Sequence, residues 1–197
     1  MGTEPSRRTK GREQRRARMI ETAMQLAHEG GYEAVQMRAV ADRSDVALGT
    51  IYRHFSGKDE LLIAGLVVWL ANTRRRIEAA GVKGDTPEQR LSGLLERSAR
   101  ATDSYPTLIG ALVTAMGTTS PSASTVKLEV EREVHALVAT AIGSGAEIDT
   151  VGVARVVGHV WSSALTRWVS GLAPDGSVAE ELRHAVQMLV GERVSAG

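Results

Sequence analysis

The sequence predicts an all-α protein of about nine helices, and three observations carry that prediction. Apolar residues recur at spacings of three and four through most of the chain. Helix-start signatures open several of these stretches, and glycines close them. No alternating apolar–polar stretch is long enough for a half-buried strand. With 197 residues, 43% hydrophobic and 24% charged, the chain can bury a substantial core, in one domain or in a small domain joined to a larger one.

In chain order, residues 1–10 read as a basic, flexible arm. They lead into RRTKGREQRRAR (7–18), which holds seven Arg or Lys and one acid, Glu13. The net charge is only +1, so basic charge is concentrated at the front. A solvated tail and a nucleic-acid contact both fit such a run. Met19, Ile20, Ala23, Leu26 and Ala27 mark the first helix, which is expected to stop at Gly30-Gly31. A short helix over 37–44 follows, then the turn Asp45-Val46-Ala47 and a third helix ending near Phe55. Ser56-Gly57-Lys58-Asp59 reads as a capping box, with Asp59 returning the hydrogen bond, and opens a fourth helix to about Ala80. Thr86-Pro87-Glu88-Gln89 opens a fifth, with proline at the first turn. Helices over 106–116, 122–142 and 149–171 come next, separated by GTTSPSAS (117–124) and GSGAE (143–147). Ser177-Val178-Ala179-Glu180 reads as a further capping box for the last helix.

Several function classes are disfavoured at once. The absence of cysteine removes disulfides, thiol catalysis and thiolate metal sites, and fits a reducing cytoplasm. His28, His54, His135, His159 and His184 are scattered, with no metal-ligand spacing and no nucleophile partner. No metal, cofactor or enzymatic activity is therefore expected. The uncharged run over 61–71 falls short of the roughly 20 residues that span a bilayer. No apolar signal segment follows the basic start, so a cytoplasmic protein without membrane contact is expected.

Helix, tight turn and helix over 37–55 is the arrangement that presents a short helix to a DNA major groove. Val40, Ala41, Val46, Ile51 and Phe55 are spaced to form a miniature core, in which Phe55, the one phenylalanine, joins the third helix to the first. Ala47, Leu48, Gly49 and Thr50 put small side chains at the front of the third helix, where base edges can approach. The Thr50 hydroxyl suits a base or phosphate, and its methyl a thymine methyl. Tyr52 can turn its phenol to the phosphate backbone, flanked by Arg53 and His54. Lys58 sits in the first turn of the next helix, where backbone N–H groups also attract phosphate. Taken singly, each residue fits an ordinary solvated corner. A sequence-blind architectural DNA binder is a further reading, but it leaves a large apolar C-terminal part unexplained.

GGYEAVQMRAVADRSDVALGTIYRHFSGKDELL (30–62) resembles the DNA-binding domain of the TetR family of bacterial repressors. The resemblance implies base contacts near Ala47 to Thr50 and phosphate contacts from Arg38, Tyr52, His54 and Lys58. Ala47 stands where family members often carry serine. Asp45 replaces a commoner turn glycine, and Asp tolerates the left-handed geometry needed there. The expected domains are a helix-turn-helix head over 11–56 and an effector-binding and dimerisation body over 57–197. Within the family, TPEQRL (86–91) and VWSSALTRWV (160–169) extend the likeness to repressors of steroid catabolism. That implies a steroid-derived effector, CoA thioesters included, with acyl-CoA or an exported drug as the alternative.

The body carries two further expectations. The helix over 149–171 has one narrow polar stripe (Arg155, His159, Ser162, Thr166, Ser170) and is otherwise apolar, so it needs partners on two sides. A homodimer is expected through Val153, Val156, Val157, Val160 and Ala164, joined by Leu182, Ala185 and Leu189 of the last helix. A central helix in a monomer is the alternative. A dimer would read an inverted repeat of double-stranded DNA. A hydrophobic effector is expected among Leu66, Trp69, Leu70, Thr73, Tyr105, Leu108, Leu112, Met116, Trp161, Leu165 and Trp168. Each of these residues equally suits a packed core. Arg74, Arg75 and Arg76 could meet effector phosphates, or be a solvated run.

Overall fold

The computed structural model describes residues 7–144 and 147–191. Within them the chain forms nine helices and no strand: α1 (Arg7–Ala34), α2 (Met37–Arg43), α3 (Leu48–His54), α4 (Lys58–Ala80), α5 (Pro87–Asp103), α6 (Pro106–Met116), α7 (Pro121–Ile142), α8 (Thr150–Val169) and α9 (Ser177–Val190). The all-α expectation holds. Of the basic arm, residues 1–6 lie outside the described residues, whereas 7–10 already belong to α1. At the other end of α1 the helical geometry breaks where the glycines predict. Gly30 and Gly31 leave helical φ/ψ, and Gly31 takes φ 72°, a conformation that costs glycine nothing.

The head is α1 to α3. Its miniature core forms as expected: Val40, Ala41, Ile51 and Phe55 are buried together with Val35, Met19 and Ile20, and Val46 is half-buried against them. Asp45 takes the left-handed turn conformation at φ 54°. Ser44 is buried but satisfied, its hydroxyl donating to the Val40 carbonyl at 2.6 Å.

The body is built on α4, which packs against α1, α6 and α7, so one helix touches both head and body. Gly65 makes the α1 crossing close: a Cβ there would collide with the Met24 side chain. On the α7 side, Arg74 donates from Nε to Glu133 at 3.1 Å and from Nη1 to Glu78 at 2.8 Å, which raises the guanidinium pKa further. Helix α5 packs on α7 and α9, while α8 packs on α6, α7 and α9.

The capping signals met different fates. Thr86 caps α5 as predicted, accepting from the Gln89 N–H at 3.2 Å, while the Gln89 side chain accepts from the Asp85 N–H at 2.9 Å. Asp149 caps α8 through the Gly152 N–H. At α4 the expected Ser56–Asp59 box does not form: Gly57 is the N-cap, without a side-chain cap bond, and the Ser56 N–H and hydroxyl both donate to Glu60 Oε2, at 2.7 and 2.6 Å. Asp59 is taken by a distant residue, Tyr32. At α9 the expected box does not form. Gly176 is the N-cap, and the Ser177 hydroxyl is buried with no partner. The C-terminal carbonyls of α7 are satisfied by Arg90 of α5, which donates to Ala141 O at 3.0 Å and Ile142 O at 2.5 Å.

Candidate DNA-reading site and effector region

Helix α3 has two faces. Ile51 and the C-cap Phe55 point inward. Ala47, Gly49, Tyr52 and Arg53 are exposed, as is Arg38 on α2. Among the described residues, its chain neighbours and the backbone of its own helix aside, nothing lies within 4 Å of where a Gly49 Cβ would stand, so no contact with the rest of them requires glycine there. Ala47 opens α3 in extended geometry with no side-chain cap, which a serine could have supplied. Thr50 is half-buried, and its hydroxyl accepts from Arg53 Nη2 at 2.9 Å. Tyr52 stands 54% exposed.

Two contacts set how α3 is presented. Arg16 of α1 places its guanidinium carbon 5.3 Å from the centre of the Phe55 ring, a cation over the plug of the head core. Arg43 forms a bidentate pair with Glu29, at 2.6 and 2.7 Å, tying α2 to α1. The pairing holds the Glu29 carboxylate below its usual pKa.

His54 is half-buried at the end of α3. Burial, then the charges of Arg12, Arg16, Arg15 and Arg53, push its pKa below the ordinary imidazole value. The last two turns of α3 and the first described turns of α1 therefore share one positively charged corner.

Lys58 is more engaged than its sequence position suggests. Its ammonium sits 3.7 Å from the centre of the Tyr32 ring, 3.3 Å from the Tyr32 carbonyl oxygen and 3.4 Å from Glu33. The Tyr32 hydroxyl donates to Asp59 at 2.5 Å. Burial and the Asp59 carboxylate push the Tyr32 pKa up to about 12. Sequence reasoning missed Tyr32, Glu33, Asp59, Arg43 and Glu29. Partners 14 to 27 residues apart leave no periodic signal.

In the body, the residues assigned to an effector differ in burial. Leu70 and Leu112 are buried, while Leu66, Trp69, Leu108, Met116, Trp161, Leu165 and Trp168 are partly buried against the core. Tyr105 is 48% exposed at the start of α6, edge-on to His28 of α1 at 5.4 Å. Trp168 is tethered outward, its indole N–H donating to Asp175 at 2.8 Å. Thr73 spends its hydroxyl on the Trp69 carbonyl. Two open grooves mark the surface. One, near 590 Å³, is lined by Trp69, Asn72, Arg75 and Arg76; the other, near 480 Å³, lies between α5 and the start of α9, lined by Glu96, Arg100 and Arg183 among others. Neither is an apolar chamber.

The residues expected at the dimer face differ in burial. Val153, Val157, Ala164, Leu182 and Ala185 are buried within their own chain, so they present almost no area to a second copy. Val160 is half-buried, and Val156 and Leu189 are 38% and 37% exposed. The reason is helical phase. At 100° per residue, Val153, Val157 and Ala164 share the inward face, while the polar stripe from Arg155 to Ser170 faces out. The apolar residues that flank that stripe and remain exposed are Val151, Val156 and Val169; Leu172, just beyond α8, and Met188, on α9, are exposed as well.

A helix-turn-helix head with a bare reading face, mounted on a larger helical body, defines a DNA-binding regulator. Residues 19–64 match the family described as "Bacterial regulatory proteins, tetR family", and residues 84–189 match the "Tetracyclin repressor-like, C-terminal domain". The chain belongs to the TetR family of transcriptional repressors. It is 38% identical over 184 residues to the HTH-type transcriptional repressor KstR of Mycobacterium tuberculosis, covering 93% of this chain and 84% of that one. Its fold matches a TetR transcriptional regulator from Rhodococcus sp. RHA1 with a TM-score of 0.79 at 25% identity, over 90% of this chain and 95% of that one. Thermus thermophilus FadR, solved with lauroyl-CoA, aligns with a TM-score of 0.66 at 20% identity, over 92% and 97% of the two chains. Among the described residues no helix is long and apolar enough to cross a membrane, and no three His, Asp or Glu side chains converge as metal ligands.

Proposed function

We propose that this protein is a homodimeric repressor that reads an inverted-repeat operator through α3 and lets go when a hydrophobic, steroid-derived effector binds its body. The observation that carries the DNA-reading part is the outward face of α3. Ala47, Gly49, Tyr52 and Arg53 are exposed there, and open space surrounds Gly49. In this reading Ala47, Gly49 and Thr50 approach base edges, while Arg38, Tyr52, Arg53 and His54 contact phosphates. Lys58 joins them only by giving up Glu33. One α3 reads a few base pairs; two related by a two-fold axis would sit about 34–36 Å apart in successive major grooves. The partner face is the exposed side of α8 and α9, with Val151, Val156, Val169, Leu172, Met188 and Leu189 around the polar stripe. The steroid class rests on the likeness to KstR over nearly the whole chain. An effector pocket would open between α4, α6 and α8 as those helices part, a shift of population toward a state with wrongly spaced heads. A protein of this kind works in the cytoplasm.

The test is to select duplexes from a randomised library, footprint the winner, and titrate the complex with a steroid acyl-CoA, a fatty acyl-CoA and ethidium. Two mirrored protected patches and release by the steroid thioester are expected. A single patch would refute the dimeric reading. Release by only fatty acyl-CoA or ethidium would replace the steroid effector with the alternative lipophilic one.

A further inference from the structure

The end of α1 and the start of α4 meet in a small cluster that is neither reading face nor apolar core. Helical geometry in α1 fails at Gly30 and Gly31, so Tyr32 is not held by a continuous helical ladder. It is held instead by α4. Its hydroxyl donates to Asp59 at 2.5 Å, and its ring and carbonyl oxygen take the Lys58 ammonium at 3.7 and 3.3 Å. Body helix α6 presses on the same spot. Thr107 lies 3.6 Å from where a Gly31 Cβ would stand, and Tyr105 meets His28 edge-on one turn earlier in α1. Three elements thus converge where the head joins the body.

We propose that Tyr32 is a positioning residue for DNA reading. By clamping Lys58 and Asp59 it fixes the angle of the head on α4, and so decides whether two heads in a dimer stand at the spacing the operator requires. This rests on the DNA-reading assignment above. The charged groups facing Tyr32 are Lys58 and Asp59 from α4 and Glu33 beside it. Burial, then the facing Asp59 carboxylate, pushes the Tyr32 pKa up to about 12, so the half-buried hydroxyl remains a hydrogen-bond donor at neutral pH.

Spacing matters for a selected palindromic duplex and not for random DNA, where each head can bind alone or slide. That difference separates positioning from a general structural role. The experiment uses the full chain and the duplex that the native protein selects from a randomised library. Tyr32→Phe keeps the ring under Lys58 and removes the bond to Asp59. It is expected to weaken binding to the selected duplex roughly tenfold, with random-DNA affinity, salt slope and melting temperature unchanged. Asp59→Asn retains an acceptor for the Tyr32 hydroxyl and is expected to stay near native, whereas Asp59→Ala matches Tyr32→Phe. The double variant Tyr32→Phe/Asp59→Ala is expected to be no worse than either single one, because both remove the same bond. Native affinity of Tyr32→Phe for the selected duplex, an equal loss on random DNA, or additive losses in the double variant would each overturn the clamp. Failure of the native chain to enrich any duplex would instead overturn the DNA-reading assignment, and the clamp with it.

Discussion

Phe55→Ala removes the residue on which the head depends most. Phe55 is 2% exposed, closes the core formed by Val40, Ala41 and Ile51, and carries Arg16 at 5.3 Å above its ring. Truncating a buried phenylalanine to alanine costs about 3–5 kcal/mol, the lost transfer term plus the cavity left behind. Arg16 loses its aromatic partner as well, a contact within that sum rather than beside it. In a chain of this size each kcal/mol moves the melting temperature by about 2–4 °C, so a drop of about 6–20 °C is expected if unfolding is cooperative. Because the cavity lies between α1, α2 and α3, the loss should concentrate in the head. Amide exchange should speed up in residues 37–54 before it does in α7 or α9. Binding to a selected duplex should fail even below the melting transition. Circular dichroism, exchange mass spectrometry and a band shift measure the three effects. A variant that melts within about 2 °C of the native chain and binds DNA normally would falsify the assignment of Phe55 as the plug of the reading head.

Further predictions address charge, interface and caps. His54 has a folded pKa held below its ordinary value by burial and by Arg12, Arg16, Arg15 and Arg53, so it is neutral at pH 7. An arriving phosphate favours the protonated ring, so binding takes up a proton and DNA affinity should rise as pH falls from about 7.5 toward 5.5. His54→Gln should flatten that profile. Folding responds in the opposite sense: the His54 contribution to stability is complete above the unfolded pKa of about 6.5 and is lost as pH falls through the lowered folded value. Met188→Glu and Val156→Glu, on the exposed faces of α9 and α8, should dissociate the dimer at micromolar concentration while leaving the monomer fold intact by circular dichroism; Leu182→Glu should instead unfold it. Unchanged sedimentation of both surface variants would move the interface elsewhere. Thr86→Ala should cost about 1 kcal/mol by freeing the Gln89 N–H, read by denaturant melting; Ser177→Ala should cost nothing comparable, since no cap bond exists there to lose. Burial, then the charge of Asp175, raises the Asp103 pKa. Asp103→Asn should therefore raise the melting temperature at neutral pH, and the gain should vanish near the ordinary carboxylate pKa of about 3.9.

The sequence by itself determined the class of fold, the number and order of the helices among the described residues, and which short helix follows the tight turn with small side chains at its front. Those features are local. The turn at Asp45 needs one left-handed residue, α3 needs small side chains at its front and Ile51 and Phe55 inside, and Thr86 caps a helix whose donor lies three residues away. Chain neighbours carry all of that information. Only the tertiary structure decided what happens wherever two equally plausible partners compete. Ser56 pairs with Glu60 because Tyr32, 27 residues earlier in the chain, claims Asp59. Gly176 takes the α9 cap, and Ser177 is buried unpaired. An apolar stripe on α8 shows that a face will be covered, but whether by α9 of the same chain or by a second copy depends on the phase at which the helices dock. That phase placed Val153, Val157 and Ala164 inside and left Val156 and Val169 outside. The aromatics of the body likewise carry no signal that distinguishes a pocket wall from a core. Burial free energy scales with area removed from water, whichever surface removes it.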